Sequence, residues 1–198
     1  MKHTIHSGAR PKEHTSRGTE MQDDGEKDGA VHLRMAKAND ARSAVELAPM
    51  TRERMHAYYR RFVPDADLFM DLSRFRPFVY DPAWVDAFFD ARAARADCVF
   101  FAVLLHGAVI GDVGLKHIDH AQKTCELTIH LTDDTVKNRG FGTQAERLML
   151  DYAFDRLGMQ TVLADATLKN TRSQHVLESI GFRFLREDET FRYYSIGK

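Results

Sequence analysis

The spacing of hydrophobic residues changes from a period of two to helical spacing at one point in the second half of the chain. Residues 125–132 alternate between polar and apolar side chains, which predicts a β-strand. After residues 136–143, apolar side chains recur at helical spacing as far as Leu157, which predicts a helix that ends near Gly158. The sequence therefore predicts a glycine-bearing loop between the end of a strand and the start of a helix.

Upstream of this point, the pattern predicts one strand and two helices around an aromatic-rich stretch. Residues 44–50 alternate and predict a first strand, and Thr51 is a suitable N-cap for the helix that follows. Three prolines interrupt residues 62–82, which predicts short helices and loops, with Pro82 in the first turn of the next helix. We expect most aromatic side chains of this stretch to lie in the core and some to border a substrate.

The remaining pattern predicts a mostly antiparallel sheet. The predicted strands are 98–105, 108–119, 124–132, 161–167, 182–186 and 191–196. The first three form a meander because only short turns separate them. A right-handed crossover through the helix would place residues 161–167 parallel to the third strand. Asn170 begins a short helix that ends at Gly181, so the predicted fold class is α+β, or mixed α/β.

Length and composition predict one globular domain with a polar extension. The chain has 198 residues, and its 43% hydrophobic content is enough for a core. Residues 1–30 are rich in charge, glycine and histidine and show no periodicity, which predicts a disordered tail or extension. Residues 31–198 are expected to form the single domain. Met21 and Met35 stay open as alternative starts of the native chain.

Charge and cysteine content narrow the classes of function. The formal net charge is -1, so no overall field favours nucleic acid or an anionic membrane as a partner. Cys98 and Cys125 match no metal or redox spacing and suit a reduced, cytoplasmic interior. No membrane span, signal peptide or metal site is expected from the sequence. His117, Asp119 and His120 straddle a predicted turn, where a polar turn is the better interpretation.

The loop at residues 136–143 has the features of an anion-binding site. Gly140 and Gly142 allow the backbone to approach a ligand, and the first turn of a helix offers unpaired N–H groups. Lys137 and Arg139 add mobile positive charge. The loop lacks the Gly-Lys-Ser/Thr ending of a Walker loop and the three spaced glycines of the dinucleotide fingerprint. A diphosphate of another kind would suit it, and a purely structural role for the glycines is the alternative.

Three features resemble the GNAT N-acetyltransferase superfamily. Residues 137–142, Lys-x-x-Gly-x-Gly, resemble its Q/R-x-x-G-x-G/A signature, in which this loop holds the pyrophosphate of acetyl-CoA. Residues 170–173, Asn-x-x-Ser, with Gly-Phe at 181–182, are similar to its second signature and look most like the RimJ/RimL-like branch, the ribosomal-protein alanine acetyltransferases. The order of elements from residue 44 onward is also similar. The resemblance implies the GNAT fold, a central, mostly antiparallel sheet with a parallel strand pair at the CoA site, flanked by helices.

The resemblance also implies a set of site residues, with acetyl-CoA as co-substrate and no metal. The expected cofactor-binding residues are Leu131, Thr132, Lys137, Asn138, Arg139, Gly140, Phe141, Gly142, Thr143, Asn170 and Ser173. Glu126 lies eleven residues before Lys137, which is the spacing at which the histone-acetylating branch places its catalytic glutamate.

Acetyl transfer from a thioester to an amine needs a neutral amine, a polarised carbonyl and a protonated leaving thiolate. Glu126 is the candidate base, directly or through water, and the alternative is an exposed strand residue paired with a neighbouring lysine. A backbone N–H within residues 130–132, where the superfamily has a bulge, is expected to polarise the carbonyl. Leu177 stands where many members carry a tyrosine acid. The proton donor is therefore missing or supplied from elsewhere, with Ser173 and His130 as candidates.

These features predict a cytoplasmic N-acetyltransferase, an acyltransferase that moves an acetyl group directly to a primary amine. The acceptor stays open among a protein N-terminus, a polyamine, another small amine and an amine-bearing antibiotic. Nucleic acid and membrane are not expected as partners, and a homodimer stays open. One alternative is a GNAT-like module that binds CoA as a sensor or interaction domain without catalysis. Another is a transferase that uses a longer acyl-CoA.

Overall fold

The computed structural model describes residues 45–198 and the backbone of a two-residue strand at 33–34. The predicted tail at residues 1–30, the domain start at residue 31 and the alternative starts Met21 and Met35 lie outside the described residues.

Among the described residues, eight strands form one sheet in the order β1-β2-β3-β4-β5-β6-β8-β7. The strands are β1 (Leu33–Arg34), β2 (Glu46–Pro49), β3 (Val99–Leu105), β4 (Ala108–Asp119), β5 (Thr124–Leu131), β6 (Thr161–Thr167), β7 (Arg183–Glu187) and β8 (Phe191–Gly197). Only β5 and β6 pair in parallel, and all other neighbours are antiparallel. The predicted fold class and the parallel pair next to the glycine loop are confirmed.

Within residues 45–198, four α-helices flank this sheet at positions that the sequence predicted. They are α1 (Arg52–Tyr59), α2 (Pro82–Ala93), α3 (Phe141–Asp151) and α4 (Thr171–Ser179), with 3₁₀ turns at Ala66–Leu68 and Leu72–Arg74 and a π turn at Tyr152–Arg156. The Thr51 side chain accepts from the Arg54 N–H and caps α1, while Pro82 occupies the first turn of α2. The predicted caps are therefore confirmed, and the short turns within residues 62–82 are as expected.

Two hydrophobic clusters cover the two faces of the sheet. The larger one joins the sheet to α3 and α4 and includes Leu127, Met149, Val162 and Tyr194, all almost fully buried. The smaller one packs α1 and α2 on the other face, above β2, β3 and β4. Among the described residues, the buried members of this second layer come from residues 48–109, and none belongs to β5 or β6.

The aromatic side chains of residues 62–82 lie beside the buried core rather than inside it. Phe62, Phe78 and Tyr80 are partly buried and pack against the smaller cluster, and Phe69 packs edge-to-face against Phe75 at 5.2 Å between ring centroids. None of these five side chains is fully buried, so the prediction that most of them lie in the core holds only for the three that pack against it.

Candidate active site

The parallel pair β5 and β6 is joined over only part of its length. Residues 124–126 of β5 pair with residues 161–163 of β6. Beyond Glu126 and Leu163, these two described strands are no longer paired with each other. Both strands continue, β5 to Leu131 and β6 to Thr167. The opening between residues 127–131 and 164–167 is referred to as the fork. Its edges carry backbone N–H and C=O groups that need partners, so an extended ligand with amide groups fits there.

One edge of the fork directs specific N–H groups towards a ligand. The Thr132 N–H donates to the Ile110 carbonyl of β4 at 2.9 Å. Neighbouring residues of a strand direct their N–H groups to opposite edges, so His130 also faces β4 while Ile129 and Leu131 face the fork. Of residues 130–132, which the sequence analysis proposed for polarising the thioester carbonyl, only Leu131 directs its N–H towards the fork.

The expected bulge lies in a different strand. Pairing of β4 with β5 is regular from Lys116–Glu126 to Gly111–Leu131, so the prediction of a bulge at the end of β5 was wrong. The extra residue is Ile110 in β4, where the pairing with β3 shifts by one. A Cβ at Gly111 would lie 2.9 Å from the His130 carbonyl oxygen. The glycine therefore allows the close approach that keeps β5 in register.

The wide end of the fork leads to the start of α3. Asn138 and Gly140 adopt positive φ values of 59° and 79° in the preceding loop. Gly140 is the N-cap residue without a side-chain cap, and the Gln144 N–H makes the first intrahelical bond to the Gly140 carbonyl. The N–H groups of residues 141–143 consequently have no acceptor within the helix. This geometry offers the uncapped, partly positive helix end that binds a phosphate group.

The cations of the loop are less available than the sequence suggested. Lys137 Nζ lies 2.8 Å from an Asp134 carboxylate oxygen and 3.9 Å from one of Asp65. The expectation of a mobile charge was therefore wrong for Lys137, which the structure holds in an ion pair. The Arg139 guanidinium lies 5.4 Å from the centre of the Phe141 ring. Positive charge for a diphosphate thus comes first from the helix start.

At the narrow end of the fork, Glu126 is the centre of a charged cluster. Its carboxylate oxygens lie 2.6 Å from Lys116 Nζ and 3.1 Å from His117 Nδ1. Asp165 of β6 also shares a hydrogen bond with Glu126. Burial raises the pKa of Glu126, but the hydrogen bonds with Asp165 and Lys116 outweigh it and leave the pKa lowered. Burial also raises the pKa of Asp165, and the bond to Glu126 and its negative charge raise it further.

Sequence reasoning identified Glu126 but missed Asp165 and Lys116. The weak signal was a single charged residue, Asp165, in the otherwise uncharged strand 161–167. Lys116 lies directly opposite Glu126 in the β4–β5 register, which matches the alternative interpretation of Glu126 as a strand residue paired with a lysine.

The other predicted catalytic residues lie at a distance from Glu126. His130 shares its face of β5 with Glu126, but it is four positions further along the strand, which corresponds to about 13 Å. Ser173 is in the first turn of α4, where its N–H donates to the Asn170 side chain at 3.1 Å. Leu177 is 2% exposed within the larger cluster and so serves packing. The structure therefore separates Glu126 from His130 along β5 and places Ser173 on α4.

The described part of the chain shows neither a metal-binding cluster nor a membrane-spanning helix. Within residues 45–198, no group of three or more His, Cys, Asp or Glu residues is arranged to hold a metal ion. None of the described helices is long and apolar enough to cross a membrane.

Comparison with known proteins places these features in a family context. Residues 44–183 match the family model described as an acetyltransferase (GNAT) domain. The Bacillus subtilis protein "Putative ribosomal N-acetyltransferase YdaF" is 23% identical over 154 residues, which cover 77% of each chain. A spermidine N-acetyltransferase SpeG chimera from Vibrio cholerae and hSSAT has a TM-score of 0.65 at 16% identity, covering 77% of this chain and 95% of that one. Campylobacter jejuni N-acetyltransferase PseH, in complex with acetyl coenzyme A, has a TM-score of 0.53 at 21% identity, covering 59% and 79%.

Proposed function

We propose, since the chain belongs to the GNAT acetyltransferase family, that it moves an acetyl group from acetyl-CoA to a primary amine within a ternary complex. The family match over residues 44–183 makes the chain an N-acetyltransferase and confirms the predicted family. Similarity to YdaF supports the RimJ/RimL-like resemblance. The observation that carries the proposal is the fork, whose open strand edge leads directly to the uncapped start of α3.

Acetyl-CoA would occupy the fork along its length. The amide groups of its pantetheine arm suit the N–H groups of Ile129 and Leu131, as an added strand would. Its pyrophosphate suits the N–H groups of residues 141–143 at the positive end of the helix dipole. The remaining predicted contacts stay proposals, namely Thr132, Lys137, Asn138, Arg139, Gly140, Asn170 and Ser173.

The reaction moves two protons away from the acceptor nitrogen. The ammonium form of the amine first loses one proton to the carboxyl cluster around Glu126. The neutral nitrogen then attacks the thioester carbonyl, whose oxygen would accept a hydrogen bond from the Leu131 N–H. The C–N bond forms, the C–S bond breaks with its electron pair on sulfur, and the second nitrogen proton ends on the thiolate. His130 and Ser173 remain the candidate routes for that last proton, since Leu177 cannot carry one.

The acceptor is the main open choice within this proposal. YdaF is named for a ribosomal substrate and SpeG for spermidine, so peptides with a free N-terminus and polyamines are the first two classes to examine. A cytoplasmic location and a homodimer stay predictions. Cys98 and Cys125 are both free and buried, which is compatible with a reducing compartment.

A thiol-release assay with a panel of amines tests the function. Acetyl-CoA is offered with alanine- and serine-starting peptides, spermidine, other small amines and aminoglycosides, and free CoA is followed over time. We expect release that depends on one amine class. Longer acyl-CoAs replace acetyl-CoA in a parallel series, and faster release there would identify a different acyl donor. Binding of CoA without release for any amine would favour the module without catalysis.

A further inference from the structure

We propose that Asp165 receives the proton of the acceptor amine and that Glu126 is the positioning residue that holds Asp165 in place. This inference rests on the proposed function, and it assigns the proton transfer to a residue that the sequence motifs do not indicate.

The position of Asp165 in the fork is the first argument. It lies two residues beyond Leu163, the last residue of β6 that pairs with β5. Side chains alternate along a strand, so Asp165 lies on the same face as Leu163 and its partner Glu126. Its backbone lies about 7 Å beyond Leu163 along β6, where β5 and β6 are no longer paired.

Asp165 is the carboxyl group whose backbone lies in the open part of the fork. It follows the last paired residues of β5 and β6, whereas Glu126 lies within the paired segment. The hydrogen bond between the two carboxyl groups keeps them close together, so Glu126 can hold Asp165 in place.

The occupancy of the Glu126 carboxylate is the second argument. Lys116 binds one of its oxygens at 2.6 Å, and His117 approaches the other at 3.1 Å. A carboxylate that is held by an ammonium group accepts a further proton less readily. Asp165 has the opposite surroundings, because its hydrogen-bond partner Glu126 carries negative charge and burial disfavours its ionised form. Of the two carboxyl groups, Asp165 is therefore the better proton acceptor.

The other ionisable groups around Asp165 do not change this assignment. Lys116 of β4 acts on it more weakly than Glu126 does. Tyr193 of β8 lies opposite Asp165 in the register, but its hydroxyl donates to Asp188 at 2.7 Å. The Arg186 guanidinium lies 3.7 Å from the centre of the Tyr193 ring. Among the described residues of the neighbouring strands, Glu126 is thus the main influence on Asp165.

The proton balance follows from this assignment. The ammonium group of the acceptor gives one proton to the Asp165 carboxylate, which becomes a carboxylic acid. The neutral nitrogen forms the C–N bond, the C–S bond breaks, and the second nitrogen proton passes to the thiolate. Asp165 then releases its proton to solvent after the amide product leaves. The net reaction consumes an ammonium ion and a thioester and yields an amide, a thiol and one proton.

The test compares Asp165→Asn with Glu126→Gln in the full chain, using the amine found in the thiol-release screen. Asp165→Asn should lower kcat at pH 7 by about 10²–10⁴-fold with unchanged acetyl-CoA affinity. The loss should shrink as pH approaches the pKa of the amine. Glu126→Gln should cost less and should move the acidic limb of kcat/KM to lower pH, because Asp165 then lacks a negative neighbour.

Two controls separate chemistry from folding. Asp155→Asn makes the same change at an exposed carboxylate that pairs with Lys198 at 3.0 Å, and it should keep wild-type kinetics. Thermal unfolding of each variant confirms the fold, and Asp165→Ser replaces Asp165→Asn if that variant is unstable.

The outcomes distinguish a failure of the Asp165 assignment from a failure of the proposed function. A folded Asp165→Asn variant with wild-type kcat and pH profile would overturn the assignment of Asp165. So would a Glu126→Gln variant that loses more activity than Asp165→Asn and no longer shows an acidic limb. If the wild-type chain releases no thiol with any amine, the proposed function itself fails, independently of both variants.

Discussion

The two ends of the fork handle charge by different means. At the wide end, backbone N–H groups of residues 141–143 face a site without a capping side chain, and the nearby Lys137 is already paired with Asp134. At the narrow end, three ionisable side chains from the two neighbouring strands, Lys116, His117 and Asp165, converge on Glu126. Backbone N–H groups do not ionise at ordinary pH, so the wide end can bind a permanently charged diphosphate over the whole of this range. Side chains titrate, so the narrow end can accept and release protons.

The largest expected effect tests whether Asp165 and Glu126 act together in one proton-transfer step. The double variant Asp165→Asn/Glu126→Gln should lose about the same 10²–10⁴-fold in kcat as Asp165→Asn alone, because Glu126 acts through Asp165. Steady-state kinetics with the screened amine give the comparison, and the double variant should match the single one within about threefold. Losses that multiply would mean that the two carboxyl groups act independently.

The sequence predicts features of the fork that depend on neighbouring residues better than features that depend on contacts between distant segments. The glycines of the loop, the Asn170 cap and the strands at 108–119 and 161–167 follow from neighbouring residues, and the structure has them where expected. The pairing of Lys116 and Asp165 with Glu126 depends on the register of three strands, and Asp165 is far from Glu126 in the chain. A periodic pattern carries no information on such register between separate segments.

The same limit explains only some of the errors. The bulge at Ile110 depends on the pairing of β4 with β3, and no local pattern distinguishes a bulge in β4 from one in β5. The second partner of Lys137, Asp65, is brought near it only by the fold. Its closer partner, Asp134, is only three residues away, so that ion pair is compatible with a local pattern that the sequence analysis did not consider.

A second prediction compares Glu126, whose carboxylate has charged partners, with Glu146, a buried carboxyl group of α3. Glu146 of α3 is 2% exposed, and one of its carboxylate oxygens has no hydrogen-bond partner. Burial raises its pKa to about 8, whereas the partners of Glu126 lower the pKa of that residue. Between the usual pKa of 4.5 and about 8, the unfolded chain loses this proton while the folded chain keeps it, so the free energy of unfolding should fall as pH rises.

Glu146→Gln should remove this pH dependence and raise the free energy of unfolding at pH 8 by several kcal/mol, since each pKa unit corresponds to about 1.4 kcal/mol. Denaturant unfolding at pH 5 and pH 8 measures both quantities. The two proteins should have similar stability at pH 5 and differ at pH 8. A parallel response of wild type and variant would show that Glu146 ionises normally in the folded chain.

The third prediction addresses the wide end. Gly142→Val should weaken acetyl-CoA binding by about a hundredfold, or roughly 2.7 kcal/mol, because the branched side chain would press against Leu131 and Ile129 of β5 and displace the helix start from the fork. Isothermal titration calorimetry of the folded variant measures the dissociation constant. Thermal unfolding without ligand serves as the control, and it should change little. An unchanged dissociation constant would contradict the phosphate-binding role of this loop.

The smallest expected effect separates the two glycines of the loop by backbone conformation alone. A Cβ at Gly142 would lie 3.8 Å from a Leu131 methyl group, which is ordinary contact, and a Cβ at Gly140 would meet nothing within 4 Å. Gly142 has no positive φ and lies in the first turn of α3, so Gly142→Ala should stabilise the ligand-free chain by about 0.5–1 kcal/mol. Gly140 has a φ of 79°, so Gly140→Ala should destabilise it by about 1–2 kcal/mol. Thermal unfolding without ligand should therefore shift in opposite directions for the two variants, whereas shifts in one direction would mean that the loop changes conformation to accept either side chain.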